Sequence, residues 1–136
     1  MATLSSGLPE RVADEETLAR FLWSSSQFNS IMVKPSAFLP EPQHRETSVF
    51  RHGGEPREEL WAIANKHVPQ GRSIHGAALV KAADVREVNL DVIADEPPLR
   101  HAAIRNWPWI EDELDRKAKE KELANLLASK SELLRK

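Results

Sequence analysis

Cysteine is absent from this sequence of 136 residues. The absence excludes disulfides, thiolate zinc sites and cysteine nucleophiles, and it favours a cytoplasmic location, because disulfides mark oxidising compartments. No stretch approaches the roughly 18 apolar residues that a membrane-spanning helix needs. The N-terminus also has neither the basic region nor the apolar run of a secretory signal. We therefore predict no membrane partner.

The strong short motifs of enzymes are missing as well. The sequence contains no GxxxxGK[ST], GxGxxG, HExxH or GxSxG pattern, which removes the readily recognised nucleotide, zinc-protease and serine-hydrolase classes. The histidine spacings match no pattern of metal ligands, so we predict no metal site and no cofactor. The absence of these motifs does not exclude an enzyme whose catalytic residues are dispersed along the sequence.

Charge and length indicate one ordinary domain. The chain carries 19 lysines and arginines against 21 aspartates and glutamates, a formal charge of -2, so no strong field draws it to nucleic acid or anionic membranes. A chain of this size buries one core. Residues 1–13 are small and polar and contain a glycine and a proline, and they predict a flexible N-terminal tail. Residues 14–136 form the predicted domain.

The residue patterns predict an α+β fold, with a small sheet of three or four strands packed by helices and a long C-terminal helix. Apolar residues at helical spacing follow Asp14 and predict a first helix; they are Leu18, Phe21 and Leu22. Further helices are predicted over 56–67, 82–88 and 110–136, and strands over 46–52, 74–80, 90–95 and 101–104. The three prolines within 27–45 predict an irregular segment that packs across one face of the domain.

Four residues at predicted strand positions are candidates for catalysis or anion binding. They are Arg51, His52, His75 and His101. If their strands are neighbours, two imidazoles could act as acid and base around a phosphoryl group that Arg51 holds, with Thr47 or Ser48 as further donors. The alternative is that these histidines are hydrogen-bonded structural residues.

Two apolar features are candidates for binding a protein partner. Trp107 and Trp109 flank Pro108 and could form an exposed platform, or they could pack the last helix on the sheet. The second half of the predicted last helix carries Leu123, Leu126 and Leu127, which could pair with another helix or with the protein's own sheet.

The runs KPSAFLP, ETSVFRH, HGAALVKAADVR and HAAIRNWPW resemble those of a type of small bacterial protein of unknown function. The resemblance covers most of the chain from Phe21 onward and implies no activity. A strand ending in Phe-Arg followed by a histidine-bearing strand is also slightly similar to ADP-ribosyltransferase and RNA phosphotransferase folds. The acidic residue on a late strand of the transferases has no counterpart here.

The sequence thus supports two functional hypotheses. The first is a non-enzymatic interaction or accessory module, which acts with a protein partner or by self-association through the tryptophans and leucines. The second is a phosphate- or nucleotide-directed enzyme or binding protein that uses the arginine and histidines, with a nucleotide or RNA as ligand.

Overall fold

The computed structural model describes residues 3–52 and 54–136. Met1 and Ala2 of the predicted tail, and Gly53, lie outside the described residues. The strands are β1 Thr17–Leu22, β2 Thr47–Arg51, β3 Gly76–Lys81, β4 Asp91–Ala94, β5 His101–Arg105 and β6 Glu132–Arg135. The helices are α1 Arg57–His67, α2 Ala82–Glu87 and α3 Glu113–Lys130.

The six strands form one antiparallel sheet in the order β4-β5-β2-β1-β3-β6. The α+β class is confirmed, but the prediction of a three- to four-stranded sheet is wrong. All four predicted strands are present. The two additional strands, β1 and β6, come from segments that the sequence patterns assigned to helices.

The sheet has two different faces. We call one the α3 face, because its apolar side chains pack with those of α2 and α3 in the larger core cluster. We call the other the α1 face, where Phe21, Phe50 and Ala77 pack against Leu60 and Ala64 of α1. The cluster on the α1 face contains no side chain of β4 or β5. In the described part of the chain, α1 thus covers only half of this face.

The predicted first helix is wrong, because its residues form β1 at the centre of the sheet. Leu18 and Leu22 are buried on the α3 face, and Ala19 and Phe21 are buried on the α1 face. A central strand buried on both faces loses the alternation of apolar and polar residues that identifies a strand. Its apolar residues then happen to fall at helical spacing.

The predicted C-terminal helix is too long at both ends, and its last residues form β6 instead. Asp112 caps α3 by accepting a hydrogen bond from the backbone N–H of Asp115 (2.9 Å), and Ser131 ends the helix in an extended conformation. β6 then pairs antiparallel with β3 and places Leu133 and Leu134 on opposite faces of the sheet. By pairing with β3, β6 satisfies the backbone N–H and C=O groups along that edge of the sheet. If α3 continued to the end of the chain, those groups of β3 would face solvent.

Gly76 of β3 lies close to the backbone of β6, with which it pairs. A Cβ atom at Gly76 would lie 2.6 Å from the carbonyl oxygen of Leu134, which is shorter than any normal contact. We expect Gly76→Ala to destabilise the protein by about 1–3 kcal/mol, the usual cost of overpacking. Urea unfolding measures the loss.

Gly71→Ala serves as the control for displacement of β6. Nothing lies within 4 Å of the Cβ atom that this change adds, although the positive φ of Gly71 makes the change unfavourable locally. We expect amide hydrogen exchange to become faster along β6 in Gly76→Ala and not in Gly71→Ala. Unchanged exchange along β6 in Gly76→Ala would contradict this expectation.

Two loop segments complete the core. The proline-containing segment 27–45 packs across the α3 face as predicted, with Phe38 fully buried and the short 3-10 turn Pro35–Ala37 lying against α3. Residues 9–12, within the predicted tail, contact Arg51 through two backbone carbonyls and contribute the buried Val12. None of the helices in the described part of the chain is long and apolar enough to cross a membrane.

Candidate functional site

The strand register shows which predicted catalytic residues lie together. His101 pairs with Phe50, and Phe50 pairs with Ala19 of β1. Arg51, His52 and His101 therefore lie at one end of the sheet. His75 precedes β3 and donates its backbone N–H to Leu22, the last residue of β1, so it lies at the other end.

Arg51 faces away from the histidines, because successive side chains of a strand point to opposite faces. Its guanidinium is completely buried on the α3 face and forms two hydrogen bonds with the carboxylate of Glu16, at 2.7 and 2.8 Å. It also donates to the carbonyl oxygens of Pro9 (2.7 Å) and Arg11 (3.4 Å). The anion that the sequence patterns assigned to a ligand is thus supplied by the chain's own Glu16.

The carboxyl group of Glu16 responds to this pairing. Burial opposes its ionised form, but hydrogen bonds from Arg51 and from the backbone N–H of Ala13 outweigh the burial, and the pKa of Glu16 lies below its usual value. His52 is half-buried near the same end of the sheet, and burial lowers the pKa of its imidazole. Both shifts are typical of groups held inside the fold.

His101 lies in a hydrogen-bonded line that we call the Ser48 relay, consisting of Ser48, His101 and Asp95. The Oγ atom of Ser48 is 2.6 Å from Nε2 of His101. On the other side of the ring, Nδ1 is 2.9 Å from the backbone oxygen of Asp95 and 3.3 Å from its carboxylate oxygen Oδ2. Register explains the arrangement, because Ser48 pairs with Ala103 and so lies diagonally across from His101 on the same face.

Aromatic contacts hold the imidazole of His101 in place. The ring of Phe50 meets it edge to face at 5.3 Å, and Phe50 in turn stacks on the ring of His67 at 4.9 Å. His67 ends α1 and lines a cavity of about 470 Å³ between α1 and the loop 98–100. Burial, together with the nearby His101, lowers the pKa of His67.

Arg20 brings a positive charge to the backbone of Ser48. It donates from Nη1 to the carbonyl oxygen of Ser48 (2.9 Å) and from Nε to that of Ala37 (2.8 Å). Burial lowers the pKa of Arg20 to about 10. No carboxylate in the described ranges lies within ion-pair distance of this guanidinium.

The predicted partner-binding residues divide between core and surface. Trp107, Leu123 and Leu127 are buried in the cluster on the α3 face, and the indole N–H of Trp107 donates to the carbonyl oxygen of Ile104. Trp109 and Leu126 are exposed, at 67% and 39% respectively. Partner binding therefore stays a prediction, and of these five residues only Trp109 and Leu126 are exposed enough to contact a partner directly.

The surface beside Trp109 contains a groove that the sequence patterns did not identify. We call it the proline groove; it has a volume of about 580 Å³ and lies between the proline-containing segment and α3. Its lining consists of Lys34, Pro35, Ser36, Leu39, Pro40, Pro42, Lys117, Glu120 and Lys121. The prolines and lysines are visible in the sequence, but they come from segments far apart in the chain.

Arg45 connects the proline groove to Trp109. It forms an ion pair with Glu120 of the groove wall at 3.0 Å and donates to the carbonyl oxygens of Trp107 and Pro108. Its guanidinium carbon lies 5.1 Å from the centre of the Trp109 ring, and that of Arg116 lies 4.4 Å from it. These cation–π contacts hold the exposed indole at the end of the groove.

Metal binding finds no support in the described residues. Between 3 and 52 and between 54 and 136, no three histidine or acidic side chains are grouped so that they could hold a metal ion.

Comparison of the chain with protein-family models, with curated proteins and with solved structures finds no match. We therefore infer its function from its own residues.

Proposed function

We propose that this chain is an accessory module that binds a protein partner in the cytoplasm, and that the proline groove receives an acidic segment of that partner with apolar side chains. The groove and its lysine rim are the observation that supports the proposal. The volume of about 580 Å³ is in the range of pockets that enclose several side chains.

The floor of the proline groove suits apolar side chains. Leu39 is 39% exposed there and is flanked by three prolines, which keep the surface rigid without offering backbone donors. Binding a partner costs this surface little conformational entropy, because the proline-containing segment is already ordered against α3. An extended peptide that inserts one or two apolar side chains fits this floor.

The rim of the proline groove selects negative charge. Lys34, Lys117 and Lys121 are exposed on it, and Glu120, its one carboxylate, is already paired with Arg45. Lys117 has only a solvent-exposed pair with Glu113 at 3.1 Å, which costs little to exchange for another carboxylate. Complementary charge of this kind raises the association rate and sets specificity.

The experiment selects binders from a random peptide library displayed on phage, with the whole protein as bait. We expect the enriched peptides to combine acidic with apolar residues. Replacing both Lys117 and Lys121 by glutamate should weaken their binding by about tenfold or more, because two attractive contacts become repulsive. Fluorescence anisotropy with labelled peptides measures the dissociation constants.

The control is Lys119→Glu, a single charge reversal of the same kind on the same helix. Lys119 is exposed but lines a different cavity with Leu126 and pairs with Glu122. Its replacement should leave peptide affinity within about twofold. Enrichment of basic peptides, no enrichment, or equal losses in the two variants would each overturn the proposal.

The alternative function, one phosphate or nucleotide site built from all four predicted residues, has less support. His75 lies at the other end of the sheet, and Arg51 is buried on the opposite face with its charge neutralised by Glu16. Only His52 and His101 share both an end and a face.

A further inference from the structure

The Ser48 relay lies in the half of the α1 face that α1 leaves open. Ser48 is exposed, and Ile93, which lies across Ala103 from it in the register, is also exposed. The relay is separate from the proline groove, which lies on the α3 side of the sheet. A small molecule therefore has access to the Oγ atom of Ser48 whether or not the groove is filled.

Hydrogen bonding determines the tautomer of His101. A backbone carbonyl oxygen can only accept, so the ring nitrogen Nδ1, 2.9 Å from the oxygen of Asp95, carries the proton. In the neutral ring, Nε2 then has the free lone pair and accepts the Oγ–H of Ser48 at 2.6 Å. This is the arrangement that a histidine base needs in order to remove a proton from a serine nucleophile.

The negative charge of Asp95 favours such a reaction. The carboxylate of Asp95, 3.3 Å from Nδ1, stabilises the imidazolium that forms when His101 takes up the proton. Arg20 lies on the opposite, α3 face of the sheet, where it donates to the backbone carbonyl oxygen of Ser48, so its charge does not face the Oγ atom.

We propose that Ser48 is the nucleophile of an esterase site in which His101 is the general base and acid, acting on small carboxylic esters that reach the open half of the sheet. Oγ of Ser48 attacks the carbonyl carbon of the ester, and its proton passes to Nε2 of His101. The intermediate expels the alcohol, which takes that proton, and Ser48 is left acylated. Water, deprotonated by His101, then attacks the acyl group and releases the carboxylic acid with Ser48 restored.

The test uses the whole protein, p-nitrophenyl acetate as substrate and a fluorophosphonate as covalent probe. We expect the probe to attach to Ser48, located by peptide mass spectrometry, and Ser48→Ala to abolish labelling and ester turnover. His101→Gln should lower both by about 100-fold or more, the usual contribution of a general base. Asp95→Asn should cost no more than about tenfold, because the backbone carbonyl still fixes the tautomer of the ring.

The control is Ser129→Ala. Ser129 is another exposed serine, whose hydroxyl donates to the carbonyl oxygen of Leu126 on α3, and its loss should change neither labelling nor turnover. An NMR spectrum of each variant confirms its fold. Turnover that is the same in the protein and in Ser48→Ala, or a probe attached to a different residue, would overturn the assignment.

Discussion

Replacing Arg51 by methionine is expected to lower the free energy of unfolding by about 3–5 kcal/mol, the usual loss when one partner of a buried ion pair is removed. The variant removes the two hydrogen bonds that Arg51 donates to the carboxylate of Glu16, and it leaves the carbonyl oxygens of Pro9 and Arg11 without their donor. Urea unfolding followed by tryptophan fluorescence measures the change.

The matched control for Arg51 is Arg105→Met. Arg105 lies on the same sheet and pairs with Glu46, but their side chains are 41% and 28% exposed, and exposed pairs contribute less than about 1 kcal/mol. Equal losses of unfolding free energy in Arg51→Met and Arg105→Met would contradict a larger contribution from the buried pair.

Acid adds a second readout for the Arg51 pair. Because the pKa of Glu16 is lowered in the folded protein, its contribution to stability is complete above the pKa of an unfolded glutamate, about 4.3, and is lost as the pH falls through the lower folded value. We expect the stability of the Arg51→Met variant to decrease less steeply below about pH 4 than that of the protein. Parallel curves would show that Glu16 does not depend on Arg51.

Leu127→Ala is the second change with a large expected effect. The Leu127 side chain is fully buried beneath α3, so its truncation should cost about 2–5 kcal/mol through lost burial and the cavity left behind. Leu126, its neighbour, is 39% exposed, and Leu126→Ala should cost less than half as much. Thermal unfolding of the two variants measures the difference.

The comparison of Leu126 with Leu127 also tests the orientation of α3. A larger loss for Leu126→Ala would mean that the helix is rotated about its axis relative to this description. That rotation would also move Lys117 and Lys121 away from the proline groove, so one pair of variants checks the helix on which the proposed partner site depends.

The strands bounded by turn residues were predictable from the sequence, and those with non-local partners were not. A glycine or proline marks at least one end of each predicted strand whatever the rest of the fold does: Gly53 follows 46–52, Gly71 precedes 74–80 and Pro97 follows 90–95. β1 was missed because burial on both faces removes the alternation of apolar residues. β6 was missed because four residues after a charged helix, with neither glycine nor proline, carry no local signal. Its structure depends on the free edge of β3.

The candidate site shows the same limit. His101 and Ser48 could be recognised as polar residues on strands, but only the register between β2 and β5 brings them together. Arg51 was a candidate for holding a phosphoryl group, but in the structure its guanidinium pairs with the carboxylate of Glu16, 35 positions away in the chain. No rule of spacing predicts such a pair, since the N-terminal segment must first fold over the end of β2.

The position of β1 has a consequence for how quickly the chain can fold. Ala19 lies between Phe50 on one side and Leu79 on the other, so the middle of the sheet closes only when three distant parts of the chain meet. Each closure loses loop entropy before any pairing compensates for it. Chains dominated by such distant pairings fold in milliseconds to seconds rather than microseconds. Until β3 arrives, one edge of the apolar β1 is open to the same segment of another molecule, which makes the interval before closure the stage at which this protein is most prone to aggregate.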